Sequence, residues 1–274
     1  MDLFSPSKIK ELLAEYGAAP LKSLGQNFLI NAQVLEKIIQ AAELKTGDIV
    51  LEIGPGLGAL TRELAKKTKK VFAIEKDRKY AEILKNIFAD FKNVEIIHGD
   101  ALDIDASSLI EPNQRYKIVA NLPYNITSPI IRKFLETQNQ PELMVLMIQK
   151  EVARRICAKP PEMSLLAVSV QFHGEPKIIE YVSKGNFWPQ PKVDSAILKI
   201  LPHSKFSKID RPKFFAIVRA GFSAPRKQLA PNLASKLKIS RQIVEETLKK
   251  QKIDPKQRAE TLNIDDWTNI NLSF

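Results

Sequence analysis

A single cysteine, Cys157, stands in 274 residues, so no intrachain disulfide can form. Cys157 falls within a helical pattern, where a thiol packs rather than reacts. The three histidines, His98, His173 and His203, are isolated. None has a cysteine or second histidine at ligand spacing, so no metal is expected. A Ser-His-Asp nucleophile lacks its local elbow motif. Long apolar runs are missing too: the longest, LMVLMI at 143–148, is strand-sized and too short to cross a bilayer. The opening MDLFSPSKIKELLAEYG holds no signal-peptide core, and Asp2, Glu11 and Glu15 are unlike a mitochondrial leader. The expectation is a soluble protein of a reducing cytoplasm, with no membrane partner. No dimer seam, internal repeat or low-complexity segment is evident, and a monomer is expected.

What is present is an ordinary globular balance, 44% hydrophobic and 27% charged, which excludes disorder. Net charge is +11, and it is unevenly spread. Residues 204–274 hold 15 Lys and Arg against 7 Asp and Glu, leaving only +3 for residues 1–203. A basic small segment beside a near-neutral large one suggests a nucleic-acid partner.

Short β-branched runs at 49–53, 71–75, 94–97, 117–120 and 143–148 alternate with helical patterns near 31–43, 58–68, 78–89, 128–137 and 149–158. This alternation predicts right-handed crossovers and a parallel sheet with helices on both faces. Strand-like runs at 165–171, 177–182 and 195–201 then follow without long helices, and could finish the sheet antiparallel. From 211 onward only helices are expected, near 211–222, 226–237 and 241–251, punctuated by prolines. The expected domains are 1–203 and 204–274.

Glu52-Ile-Gly54-Pro-Gly56-Leu-Gly58 follows the first of these strands and opens a helix. Glycines there permit a tight turn and close approach of a ligand to the backbone. The segment also fits a dinucleotide fingerprint with Ala59 as its last position. Glu75 ends the next strand, where a carboxylate can accept both hydroxyls of a ribose. Asp100 lies just past the third, where a carboxylate can accept from an adenine amine. An NAD site also needs a ribose acid, so these residues alone leave the cofactor open.

Asn121-Leu122-Pro123-Tyr124 stands at the end of the fourth strand. An adenine exocyclic nitrogen is a poor nucleophile because its lone pair is delocalised into the ring. Two acceptors around the amine can pull it toward tetrahedral geometry. The Asn121 side-chain oxygen and the Leu122 backbone carbonyl are those acceptors. Pro123 has no N–H to compete and holds Leu122 extended. Tyr124 offers a face for stacking, a contact of roughly 1–3 kcal/mol. Such a site suits methyl transfer from S-adenosylmethionine (SAM), whose sulfonium is neutralised as charge appears on nitrogen. Orientation and electrostatics can then supply most of the effect, without a strong base.

With these motifs the chain resembles the small-subunit ribosomal RNA adenine N6,N6-dimethyltransferases, from about residue 20 to about 262. The resemblance rests on Lys22-Ser-Leu-Gly-Gln26-Asn27-Phe28-Leu29, the glycine loop, Asn121–Asn125, Gln149–Ala153, Phe187–Ser195 and Arg258–Leu262. It implies a Rossmann-like SAM-dependent methyltransferase, with a mostly parallel seven-stranded sheet and a small all-helical C-terminal domain. It also implies that Asn27 and Leu29 close over SAM and that Gly54, with Gly56 beside it, meets the methionine part. Glu75 would take the ribose, Asp100 the adenine, and Asn121 both SAM and the target amine. Phe187 would cover a flipped adenine opposite Tyr124. The implied product is dimethyladenosine at two adjacent positions in a hairpin near the 3′ end of small-subunit rRNA, made within an assembling subunit. The chain departs from the family pattern at Met163-Ser164, where Tyr-Gly is usual, and at Pro225-Arg226-Lys227, where Arg-Arg-Lys is usual.

Arg211, Lys213, Arg219, Arg226, Lys227, Lys236, Lys238 and Arg241 are expected to meet phosphates, which position RNA without reading its sequence. The competing readings are a large-subunit rRNA adenine methyltransferase, a non-catalytic assembly or transcription factor on the same fold, and an NAD-dependent enzyme.

Overall fold

The computed structural model describes residues 3–21 and 25–274. Lys22, Ser23 and Leu24 of the first family block lie outside the described residues. The chain divides into two compact units, Met1–Ala153 with Lys177–Pro202, and Arg154–Pro176 with His203–Phe274.

The chain opens with α1 (Pro6–Glu15), β1 (Phe28–Leu29), α2 (Ala32–Ala41), β2 (Ile49–Ile53), α3 (Ala59–Lys67), β3 (Lys70–Glu75), α4 (Arg78–Ile87) and β4 (Val94–His98). It continues through β5 (Lys117–Asn121), α5 (Thr127–Glu136), β6 (Leu143–Gln149), α6 (Lys150–Ile156), α7 (Leu165–Gln171), β7 (Gly174–Val182), β8 (Phe187–Trp188) and β9 (Ser195–Pro202). Helices α8 (Arg211–Gly221), α9 (Leu229–Leu237), α10 (Arg241–Lys250) and α11 (Ile264–Ser273) complete it.

Seven strands form one sheet in the order β4-β3-β2-β5-β6-β9-β7. The pairs β2–β3, β3–β4, β2–β5 and β5–β6 are parallel, and β6–β9 is antiparallel. All five residues of β2 are buried, as a strand covered on both faces requires. Helices α2 and α4 start on side-chain caps: Asn31 accepts from Gln33 N and Val34 N at α2, and Asp77 from Lys79 N and Tyr80 N at α4. From β2 the chain winds outward to β3 and β4, then returns to lay β5 on the other side of β2. The order therefore reverses between β2 and β5. Helices on opposite faces part there and leave a crevice at the strands' carboxyl ends, the place where open α/β sheets bind ligands.

Helix α1 and the β1–β8 pair lie outside the expected elements, and three features of the second unit also differ from the sequence reading. The apolar run at 165–171, expected as a strand, is helix α7. Ser164 caps it by accepting from Ala167 N at 3.2 Å, and Leu165, Leu166 and Ala167 favour a helix. Helix α11 was not anticipated, although Asn263 and Asp266 form a reciprocal capping box at its start. The second unit also takes in Arg154–Pro176 beside the C-terminal helices. Met163, Ala167, Val168 and Phe172 share one apolar cluster with Phe214, Leu233 and Trp267, so this segment buries its apolar face there. The atypical Met163 is thus a core residue of that unit, 4% exposed.

Candidate active site

The crevice lies within the first unit and opens over the ends of β2, β3, β4 and β5. Its lining includes Asn27, Leu29, Gly54, Gly56, Glu75, Asp100, Asn121, Leu122, Pro123, Tyr124 and Phe187. Every residue read from the sequence as cofactor-binding or catalytic lies in this one lining.

The glycine loop leaves β2 through Gly54, whose φ is +70°. A Cβ at Gly54 would lie 3.3 Å from Pro123 Cδ. Glycine therefore serves both the left-handed turn and the close packing of this loop against the 121–124 segment. The two motifs form adjoining walls of one pocket.

Glu75 is 6% exposed. Its Oε2 accepts from Gly56 N at 3.2 Å and its Oε1 from Asp77 N at 2.9 Å. Burial pushes its carboxyl up to about 7, against the pull of those backbone donors. Asp100 sits more openly. Its Oδ2 accepts from Lys76 Nζ at 2.6 Å and its Oδ1 from Leu102 N at 2.9 Å. The Lys76 hydrogen bond, then the Leu102 amide, hold it below the usual carboxylate range. Glu52, inside β2, also lines the pocket. It is 1% exposed and lies beside the buried hydroxyl of Thr61. Burial, aided by the charge of Glu75, pushes its carboxyl up to about 8 against the pull of the Thr61 hydroxyl.

Asn121 ends β5. Its amide nitrogen donates to Asn27 O at 3.1 Å, which commits the donor end of the side chain and leaves Oδ1 as the open acceptor. Leu122 N donates to Met147 O at 3.1 Å, so the turn is tied to β6. Tyr124 is held by a 2.8 Å hydroxyl contact with Ser195, a fully buried residue of β9. Phe187 is 3% exposed and lies in β8, whose pairing with β1 sets Leu29 opposite Phe187 and Phe28 opposite Trp188. The Phe28 and Trp188 rings stack with centroids 6.3 Å apart.

Four contributors escaped the sequence reading: Glu52, Phe28, Lys76 and Ser195. An acid inside the otherwise apolar strand IVLEI was a readable signal. The other three depend on partners distant in the chain. Among the described residues no group of three or more His, Cys, Asp or Glu could hold a metal, and no helix is long and apolar enough to cross a membrane.

A glycine loop, acids at successive strand ends and a crevice at the order reversal define a Rossmann-like nucleoside-cofactor site, and the solved structures that share the fold over most of the chain place it among the methyltransferases. Two solved structures share this fold over nearly the whole chain. A dimethyladenosine transferase from Plasmodium falciparum is 28% identical with a TM-score of 0.77, covering 89% of this chain and 96% of that one. The 23S rRNA methyltransferase ErmE is 27% identical with a TM-score of 0.73, covering 90% and 98%. The family model described as ribosomal RNA adenine dimethylase matches residues 20–274, and the chain belongs to that family. Among its relatives, the ribosomal RNA small subunit methyltransferase A of Dehalococcoides mccartyi strain BAV1 is 43% identical over 98% of this chain and 93% of its own length. The protein of the same name from Alkaliphilus metalliredigens is 42% identical over 98% and 96%.

Proposed function

We propose that the protein dimethylates the exocyclic amines of two adjacent adenosines in a hairpin near the 3′ end of small-subunit rRNA. It would do so as a cytoplasmic monomer, on an assembling small subunit. The observation that supports this most directly is the orientation of Asn121: its donor end is bound to Asn27 O, and its acceptor end has no partner among the described residues, in the pocket that the glycine loop also lines.

The pocket suits SAM. Glu75 offers a buried acceptor for ribose hydroxyls and Asp100 an ionised acceptor for an adenine amine, with Glu52 buried in the same lining. Lined by three acids and Lys76, it is poorly matched to the pyrophosphate of NAD. SAM, when bound, supplies an electrophilic methyl group. The protein's own contribution is placement. Tyr124 and Phe187 stack the extruded base, with Ser195 fixing the Tyr124 ring. In the first transfer Asn121 Oδ1 and the Leu122 carbonyl accept the two amine hydrogens and expose the nitrogen lone pair; in the second, one acceptor holds the one hydrogen that remains. Pro123 adds no competing donor. After attack the extra proton passes to water.

The large-subunit alternative shares the fold, as the ErmE structure does at 27% identity. The small-subunit relatives are closer, at 43%. Methyl incorporation from labelled SAM into undermethylated small and large subunits, with mass analysis of the digested nucleosides, separates the two. The expected product is dimethyladenosine in the small subunit alone. Asn121→Ala should cut incorporation about 10²–10³-fold, the usual cost of one aligned polar group at a reacting centre. Unchanged incorporation would exclude the proposed role of Asn121.

A further inference from the structure

Lys133 projects from α5, the helix that follows the 121–124 segment. Its ammonium donates to three backbone carbonyls, Ala101 at 3.0 Å, Leu102 at 2.8 Å and Ile104 at 2.6 Å. An ammonium has three hydrogens, so this cradle uses all of them. The same few residues form the turn that begins at Asp100. The Asp100 carbonyl accepts from Asp103 N at 2.9 Å and Ile104 N at 3.0 Å, and its side chain accepts from Leu102 N. One side chain therefore clasps the loop that presents Asp100 and fixes it to the helix behind the methyl-acceptor motif. A lysine used only for surface charge would leave its head in water. Here the head is spent on carbonyls that no longer need other donors.

We infer that Lys133 is a positioning residue for cofactor recognition: it holds the 100–104 loop so that Asp100 meets the exocyclic amine of the cofactor's adenine. This rests on the assignment of Asp100 to that amine. Loosening the clasp lets Asp100 drift from its partner, while the ribose acid and the glycine loop stay in place. The loss should then be confined to ligands that carry the amine.

The test is isothermal titration of wild type, Lys133→Met and Lys133→Gln with two probes: S-adenosylhomocysteine and the same molecule with hydrogen in place of the adenine amine. Wild type is expected to prefer the amine-bearing probe about tenfold or more, the weight of a hydrogen bond to a charged group. Lys133→Met is expected to lose most of that preference by weaker binding of the amine-bearing probe alone. Lys133→Gln, which keeps a donor but not three, should fall between, and it is read in the same way if the methionine variant does not fold. A variant that keeps the wild-type ratio, including one that weakens both probes equally, overturns the inference. A wild type without preference overturns the Asp100 assignment, and the inference with it.

Discussion

Glu52 and Glu75 lie one strand apart with almost no contact with water, and burial pushes their carboxyls up to about 8 and about 7. At neutral pH Glu52 is mostly protonated and Glu75 is poised near half-ionisation. An acceptor for ribose hydroxyls works best ionised. Below about pH 7 Glu75 holds a proton that must leave when the ligand binds, so affinity is lost as pH falls. Asp100, held low by Lys76, stays ionised throughout that window and contributes no slope. The dissociation constant for S-adenosylhomocysteine should rise roughly tenfold per pH unit below about 7, the signature of one linked proton. Glu75→Gln should bind more weakly than wild type at pH 7 and above and approach it at low pH, where Glu75 is protonated. Its profile should be flat between pH 5.5 and 7, below the range in which Glu52 titrates. Titration calorimetry across that range checks both. A wild-type profile as flat as the variant's would mean that Glu75 does not contact the ligand as an anion.

At the scale of elements, the turn from β2 into α3 depends on Gly58 at its N-cap, with φ at +84°. A Cβ there would sit 2.5 Å from Phe88 Cε2, at the end of α4. Gly58→Ala should combine a strained backbone with an overpacked contact, destabilising by about 1–3 kcal/mol, read as a lower urea midpoint at unchanged slope. That turn was legible in the sequence because a glycine repeated between a β-branched run and a helical pattern has few other uses. The central strands were legible for a related reason: buried on both faces, they read as unbroken apolar runs such as LMVLMI. Helix α7 was not, since seven residues, five of them apolar, are too few to show a period that separates a buried helix from a buried strand. The β1–β8 pair was not, because two residues on each side carry too little pattern. Lys133 was invisible for a different reason. Its carbonyl partners are 29 to 32 residues earlier in the chain, and any carbonyl looks alike in sequence.

For the whole molecule, charge divides where the chemistry does. The net charge of +11 comes mostly from residues 204–274, and Arg211, Lys213, Arg219, Arg226, Lys227, Lys236, Lys238 and Arg241 are all exposed. The pocket in the first unit is instead lined by buried acids. Salt should therefore separate the two binding events. Contacts between exposed cations and phosphates release counterions, so RNA affinity falls linearly in log–log form with salt. Buried groups at hydrogen-bond range are screened little, so S-adenosylhomocysteine binding should barely change between 50 and 300 mM salt, concentrations chosen as roughly bracketing the Debye regime that matters. Arg226→Gln with Lys227→Gln should weaken binding to undermethylated small subunits and lower the salt slope by about two, one for each phosphate contact removed, with cofactor-analogue affinity unchanged. Filter binding over a salt series measures the slope. A double variant with the wild-type slope would mean that the RNA backbone does not run past this turn between α8 and α9, and that the remaining six cations are where its path should be sought.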